Sequence, residues 1–107
     1  MKISKFLLII FFIFTINIQN SSADDAKMIK GLEIFNETAG CAACHILKAA
    51  SSEGNVGPNL DTVSLTEESV KEMVTYGLGV MPAYGEGILT KEEIDIVSFY
   101  VANSVGK

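Results

Sequence analysis

The two cysteines and the single histidine of this 107-residue chain fall within five consecutive positions, Cys41-Ala42-Ala43-Cys44-His45. That clustering constrains the chain more than any other feature. Cys-x-x-Cys-His is the pattern of c-type haem attachment. Two thiols one short turn apart can add to the two vinyl groups of a haem as thioethers. A histidine directly after the second cysteine then lies beneath the porphyrin, where a ring nitrogen reaches the iron. The alanines between the cysteines leave room for the flat macrocycle. Competing uses of the same residues fare worse. A disulfide between Cys41 and Cys44 closes too small a loop to stabilise a fold much. A thioredoxin-type pair belongs beside a βαβ pattern, which this sequence lacks. A structural zinc site needs about four ligands, and there is no second cluster to complete one. The motif therefore points to one covalently bound haem c on Cys41 and Cys44, with His45 as an iron ligand.

The N-terminus reads as an export signal covering residues 1–23. Lys2 and Lys5 form a basic start, Phe6 to Ile16 an apolar stretch broken by Thr15, and Ser21 and Ala23 occupy the small-residue positions of a cleavage site. The apolar run is short of the roughly 20 residues needed to span a bilayer, so cleavage is expected rather than retention as an anchor. Two of the eight lysines would leave with the signal while all thirteen acidic residues stay, moving the formal charge from −5 to −7 over residues 24–107. With no arginine and no basic patch, nucleic-acid binding is disfavoured. An acidic surface suits steering towards positively charged protein partners. A domain of this size builds a marginal core and often needs a staple, which a covalent cofactor would supply.

Three helices are expected along residues 24–107, with no repeats. The first spans Ala26 to Glu37, its start favoured by Asp24 and Asp25, with Met28, Leu32 and Phe35 on one face. Gly31 lies inside it at a cost of about 1 kcal/mol against alanine, which suggests that another backbone approaches closely there. The second spans Glu67 to Tyr76, with Val70, Met73 and Val74 as its apolar stripe and Thr66 or Ser64 as its cap. The third, Lys91 to Ser104, has the clearest start: Thr90 and Glu93 form a capping box, and Leu89 and Ile94 are spaced as a hydrophobic staple. Ile94, Val97 and Val101 follow, with Tyr100 alongside. Between Ile46 and Leu65 no periodic run occurs. A loop of that length in a small domain is unusual unless it covers something.

Iron in electron-shuttling haem proteins is often held by His and Met, the thioether raising the reduction potential. Met28 and Met73 fit helical apolar stripes and read as core. Met81 stands in a loop between Gly79 and Pro82, where small neighbours permit close approach and the fixed φ of Pro82 helps hold its direction. It is the candidate sixth ligand.

Taken in order, these motifs resemble those of the class I cytochromes c, small carriers with a His–Met haem, over nearly all of residues 24–107. Gly31 and Phe35 are similar to the Gly-x-x-x-aromatic pair of the family's N-terminal helix, which crosses its C-terminal helix. Gly57-Pro58-Asn59-Leu60 resemble the loop whose proline carbonyl accepts a hydrogen bond from the ligand histidine, a contact that fixes the ring and raises its basicity. Leu60 would pack on the haem. Gly79 to Tyr84 look like the sixth-ligand loop, and Leu89 to Val101 like the closing helix. There are two departures. The spacer Asn36 to Gly40 is longer than in many members and is expected to enlarge a turn without touching the ligands. Without arginine, a common propionate partner is missing, leaving Lys48, Asn59, Tyr76 or backbone amides.

The resemblance implies an all-α domain of about three helices wrapped around one haem, with the N- and C-terminal helices packed together. It further implies a monomeric, exported periplasmic carrier that transfers single electrons between transient redox partners. His45 and Met81 would close the iron to substrates, so enzymatic chemistry is not expected and no stable membrane insertion follows cleavage. Two alternatives stay open: a dedicated cytochrome subunit of a periplasmic dehydrogenase, and a haem sensor or enzyme with an open sixth position.

Overall fold

The computed structural model describes residues 19–107; most of the expected export signal, residues 1–18, lies outside the described residues. Three helices carry the fold: α1 (Gln19–Glu33), α2 (Glu67–Tyr76) and α3 (Lys91–Ser104). The connections contain one π-helical turn, three short 3₁₀ turns and a two-stranded antiparallel hairpin, β1 (Ile46–Leu47) and β2 (Ser52–Glu53).

α1 and α3 pack against one another through Gly31. A Cβ built there would overlap Tyr100 Cβ and lie 3.2 Å from the Ile96 carbonyl oxygen. The helical cost of glycine is thus exchanged for backbone proximity. Phe35 follows one turn later and is 1% exposed, its ring tilted against Tyr100 at a centroid distance of 6.0 Å. That geometry belongs to the favourable range for aromatic pairs. Ile34, Leu47, Val97 and Val101 complete the centre of the core, with Val70 and Val74 contributed by α2.

The start of the first helix differs from expectation. Asp24 and Asp25 do not cap it: α1 already begins at Gln19, and both acids stand exposed inside it. Nothing in Gln19 to Ala23 breaks a helix, since the stretch contains neither proline nor glycine, so the helical path continues upstream of the dipole-favoured acids. Its end differs too. After Glu33 the backbone widens into a π turn, Ile34–Thr38, closed by the Ala39 N–H donating to the Ile34 carbonyl at 2.8 Å. This turn, together with Gly40 at φ 70°, takes up the long Asn36 to Gly40 spacer just before Cys41.

The other two helices start on side-chain caps. At α2 the cap is Thr66 rather than Ser64: its hydroxyl accepts from the Ser69 N–H at 3.1 Å while the Thr66 N–H donates to Ser69 Oγ at 3.0 Å. At α3, Thr90 Oγ1 accepts from the Glu93 N–H at 3.1 Å and the Thr90 N–H donates to Glu93 Oε1 at 3.0 Å. Leu89 and Ile94 are both buried beside that box. Lys71 and Asp95 form an ion pair between α2 and α3 at 3.1 Å.

Candidate haem site

Cys41 to Ala43 form a single 3₁₀ turn entered from Gly40 in the left-handed region. The Cys44 and His45 amides both donate to the Cys41 carbonyl, at 3.1 and 3.0 Å. The motif is therefore a compact knot with both thiols and the imidazole on one wall of a cleft of about 440 Å³, within the range of roughly 300–1,000 Å³ typical of ligand sites. Burial pushes the Cys41 thiol up to about 11. A thiol so rarely ionised at neutral pH is a poor attacking group in dithiol exchange, which counts against a thioredoxin-like use of the pair.

His45 is pinned from two sides. Its Nδ1–H donates to the Pro58 carbonyl at 2.7 Å; a carbonyl can only accept, so the proton sits on Nδ1 and the Nε2 lone pair is left free. The flat of the ring lies on Gly57, where a Cβ would come within 2.5 Å of Cε1 and 2.8 Å of Nδ1. Any larger residue at position 57 would drive the imidazole out of place. The Gly57 N–H in turn donates to the Cys44 carbonyl at 2.7 Å, which locks the Gly57-Pro58 segment to the motif. Behind it, Gly54, directly after β2 at the open end of the hairpin, presses on the motif backbone, with a Cβ there only 2.6 Å from Cys44 N.

The loop after α2 forms another part of the cleft lining. Gly77, at φ 68°, turns the chain so tightly that a Cβ would lie 2.5 Å from the Met81 carbonyl. Leu78 and Met81 then exchange backbone hydrogen bonds at 3.2 and 3.0 Å around Gly79. The returning chain caps α2: the Tyr84 and Gly85 amides donate to the Val74 and Thr75 carbonyls. Tyr84 Oη donates to the Ala39 carbonyl at 3.0 Å, joining this loop to the turn that precedes Cys41. Met81 lines the cleft and packs against the core.

Pro58 and Leu60 also line the cleft, so all six expected site residues, Cys41, Cys44, His45, Pro58, Leu60 and Met81, meet in one place. Met73 departs from its expected core position: it is 42% exposed and faces the cleft beside Ser69 and Val70. Helical spacing placed it on the stripe with Val70 and Val74 without showing that the stripe's far end borders a cleft. Val56, Val63, Leu65, Leu78 and Val80 are lining residues that sequence reasoning did not single out. Their signal, large apolar side chains in otherwise polar loops, is visible only in retrospect. None of Lys48, Asn59 and Tyr76 lines the cleft; its polar side chains besides His45 and the thiols are Ser69 and Tyr84.

A broad apolar cleft with two thiols and an oriented imidazole on its wall suits a flat, apolar, iron-bearing macrocycle. The comparisons with known proteins agree. The family model described as "Cytochrome C oxidase, cbb3-type, subunit III" matches residues 26–101. The chain belongs to this family of c-type cytochromes. The cytochrome is 37% identical over 79 residues to cytochrome c6 of Microcystis aeruginosa, an alignment covering 66% of this chain and 89% of that protein. It superposes on the crystal structure of the c-type cytochrome SorU from Sinorhizobium meliloti with a TM-score of 0.73 and 46% identity, over 78% of this chain and 95% of the other. The cytochrome thus has the small class I cytochrome c fold, binds haem c covalently through Cys41 and Cys44, and is a haem-based electron carrier.

Proposed function

We propose that the cytochrome is an exported, periplasmic one-electron carrier whose iron is held by His45 and Met81. The observation that carries this reading is the convergence of a tautomer-fixed imidazole and a loop methionine on one apolar cleft. The haem, when bound, supplies a one-electron ferric/ferrous couple. Everything else falls to the chain. Donation from His45 Nδ1–H to Pro58 raises the basicity of Nε2 and fixes the ring plane. The thioether of Met81 is a soft donor that favours the ferrous state, so a fairly positive potential is expected. Leu60, Val70 and Val74 keep water from the inner cleft, while Leu78 and Val80, 71% and 87% exposed, leave an apolar rim for brief contact with partners. Held by both His45 and Met81, the iron would offer no place for a substrate, so chemistry at the metal is disfavoured.

Residues 1–23 are proposed to be a cleaved export signal, leaving residues 24–107 as the working protein; among the described residues no helix is long and apolar enough to cross a membrane. Cleavage after Ala23 would remove the first five residues of α1 and leave the part that contacts α3. The acidic surface is proposed to guide transient encounters with electron donor and acceptor, so raising the ionic strength should slow electron transfer.

The test is the optical spectrum of the reduced, haem-loaded protein before and after carbon monoxide. An unchanged low-spin spectrum supports a closed iron, and loss of that closure in Met81→Ala but not in Met73→Ala assigns the ligand. A prompt carbon monoxide adduct in the parent protein would instead favour sensing or catalysis at an open sixth site. A second reading has one observation behind it, since the matching family's description is that of an oxidase subunit. A standing place in a larger redox complex would use the same site, and stoichiometric co-purification with a larger catalytic chain would favour it over a free carrier.

A further inference from the structure

The segments that carry His45 and Pro58 are joined by three rungs of identical spacing. The Gly57 N–H donates to the Cys44 carbonyl at 2.7 Å, His45 Nδ1–H to the Pro58 carbonyl at 2.7 Å, and the Lys48 N–H to Asp61 Oδ2 at 2.8 Å. Each spans thirteen residues, so residues 44–48 and 57–61 run side by side. The third rung is a side chain reaching a main-chain amide. The other oxygen of the same carboxylate accepts the Gly106 N–H at 2.9 Å, from a position 45 residues away just past the end of α3. Asp61 is itself held in a short turn, its own N–H donating to Asn59 Oδ1 at 3.0 Å. Both carboxylate oxygens are thus committed to backbone donors, which holds the carboxyl below its ordinary value.

We propose that Asp61 is a positioning residue for His45: its carboxylate fastens the Pro58 segment to the His45 segment and ties both to the end of α3. The proposal rests on the reading of His45 as an iron ligand and deepens it. Without the third rung, the Pro58 carbonyl is held at one end only, by Gly57, and the His45 Nδ1–H bond lengthens or opens more often. A less basic Nε2 stabilises the ferric state less, so the potential moves in the positive direction. Loss of a carboxylate charge would move it the same way, and the test must separate the two causes.

Asparagine and alanine remove the same charge, but asparagine keeps one acceptor oxygen and puts a donor in place of the other. In haem-loaded protein, hydrogen exchange would be followed by NMR at the Lys48 and Gly106 amides and at His45 Nδ1–H, together with the midpoint potential. Hydrogen bonds to charged groups contribute enough that Asp61→Ala should speed exchange at both amides roughly tenfold or more. The same variant should also speed exchange at His45 Nδ1–H and raise the potential, with Asp61→Asn intermediate on each measure. A chain lacking Gly106 and Lys107 keeps the Lys48 rung and should leave the His45 proton at the parent rate. An unchanged Nδ1–H rate in Asp61→Ala, or equal potential shifts in Asn and Ala variants with no change at His45, would reduce Asp61 to a tether for the C-terminus and a local charge. If Asp61→Ala does not accumulate, Asp61→Asn against the truncated chain makes the same comparison. Should the His45 ring protons of the ferric parent show no paramagnetic shift, the ligand assignment fails first, which is a separate result.

Discussion

The crossing of α1 and α3 and the pair of loops that flank the cleft are held by different physics. At the crossing, Phe35, Val97, Tyr100 and Val101 are buried to 4% exposure or less, and contact is set by shape: a missing Cβ at Gly31 admits Tyr100. Around the cleft few loop side chains are buried. The loops at 54–62 and 77–85 keep their courses through individual backbone bonds, close glycine contacts at Gly54, Gly57, Gly77 and Gly85, and single polar side chains such as Asp61 and Tyr84. Burial is distributed over many atoms, each contributing little. A loop bond is a single link, whose loss is felt locally. Substitutions at the crossing itself, as at Gly31, should therefore cost more stability and disturb the iron's surroundings less than substitutions in the loops.

The strongest break of that contrast is Gly31→Ala. Elsewhere in a helix this change gains about 1 kcal/mol. Here the new Cβ meets Tyr100 Cβ, an atom whose position the backbone fixes, so no rotamer relieves the overlap and the helices must part. Overpacking of this kind should cost about 3 kcal/mol, read as a fall in the urea midpoint of the haem-loaded protein. The optical spectrum of the folded fraction should match the parent. A stability at or above the parent's would show that the helices are less closely held than the Gly31 contact implies.

Gly57→Ala is the counterpart in the loops. Its Cβ would fall 2.5 Å from His45 Cε1, and the imidazole, a side chain, can yield where Tyr100 Cβ cannot. Stability should drop by about 1–2 kcal/mol as the bond to Pro58 is lost, less than in Gly31→Ala. If His45 holds the iron as proposed, the spectrum should change more, because the displaced imidazole would no longer be aimed at the metal. An unaltered spectrum would mean that the ring is not seated on this glycine.

Which parts could be read in advance follows the same division. Cys41, Cys44 and His45 were legible because the chemistry demands adjacent positions, and the third helix because Thr90, Glu93, Leu89 and Ile94 are local signals. Gly31 suggested a close approach because a glycine inside a helix has a cost to explain. What stayed hidden depends on pairs distant in sequence. The two acceptor roles of Asp61 span 13 and 45 residues, and the reach of Tyr84 to Ala39 spans 45. The π turn at 34–38 and the hairpin at 46–53 are short, held by contacts such as Leu47 N–H donating to Ser52 Oγ at 2.9 Å, and leave no periodic trace. Met73 shows the limit of periodicity itself, which groups residues on a face without saying what that face meets.

Tyr84→Phe tests one distant pair on its own. The variant keeps the buried ring and removes the hydroxyl that donates to Ala39. A neutral hydrogen bond of this kind contributes about 1 kcal/mol, so the urea midpoint should fall modestly. Because the bond joins the Met81 loop to the turn before Cys41, its loss should also let carbon monoxide form an adduct with the reduced protein more readily than in the closed parent. A loss of stability without any change in carbon monoxide kinetics would assign the hydroxyl to the frame rather than to the loops.

The smallest expected effect lies at the start of α3, and it titrates. The Thr90 N–H donates to Glu93 Oε1, and this bond, with the hydroxyl of Thr90, holds the Glu93 carboxyl below its ordinary value of 4.5. A depressed value in the folded state means that the unfolded chain takes up the proton first as pH falls. The stabilisation is therefore fully present above the ordinary value and is lost as pH drops through the folded value. Glu93→Gln supplies the control, because its amide oxygen still accepts from Thr90 while carrying no charge for the helix N-terminus. The parent should be slightly the more stable near neutrality, and the urea midpoints of the two should converge as pH falls below about 4.5. Because the box belongs to the frame, the optical spectra of the two should stay alike throughout. A gap that persisted into acid would mean that the charge of Glu93 is not what stabilises the helix start. A spectral difference would mean that the frame and the loops are coupled more tightly than their separate contacts suggest.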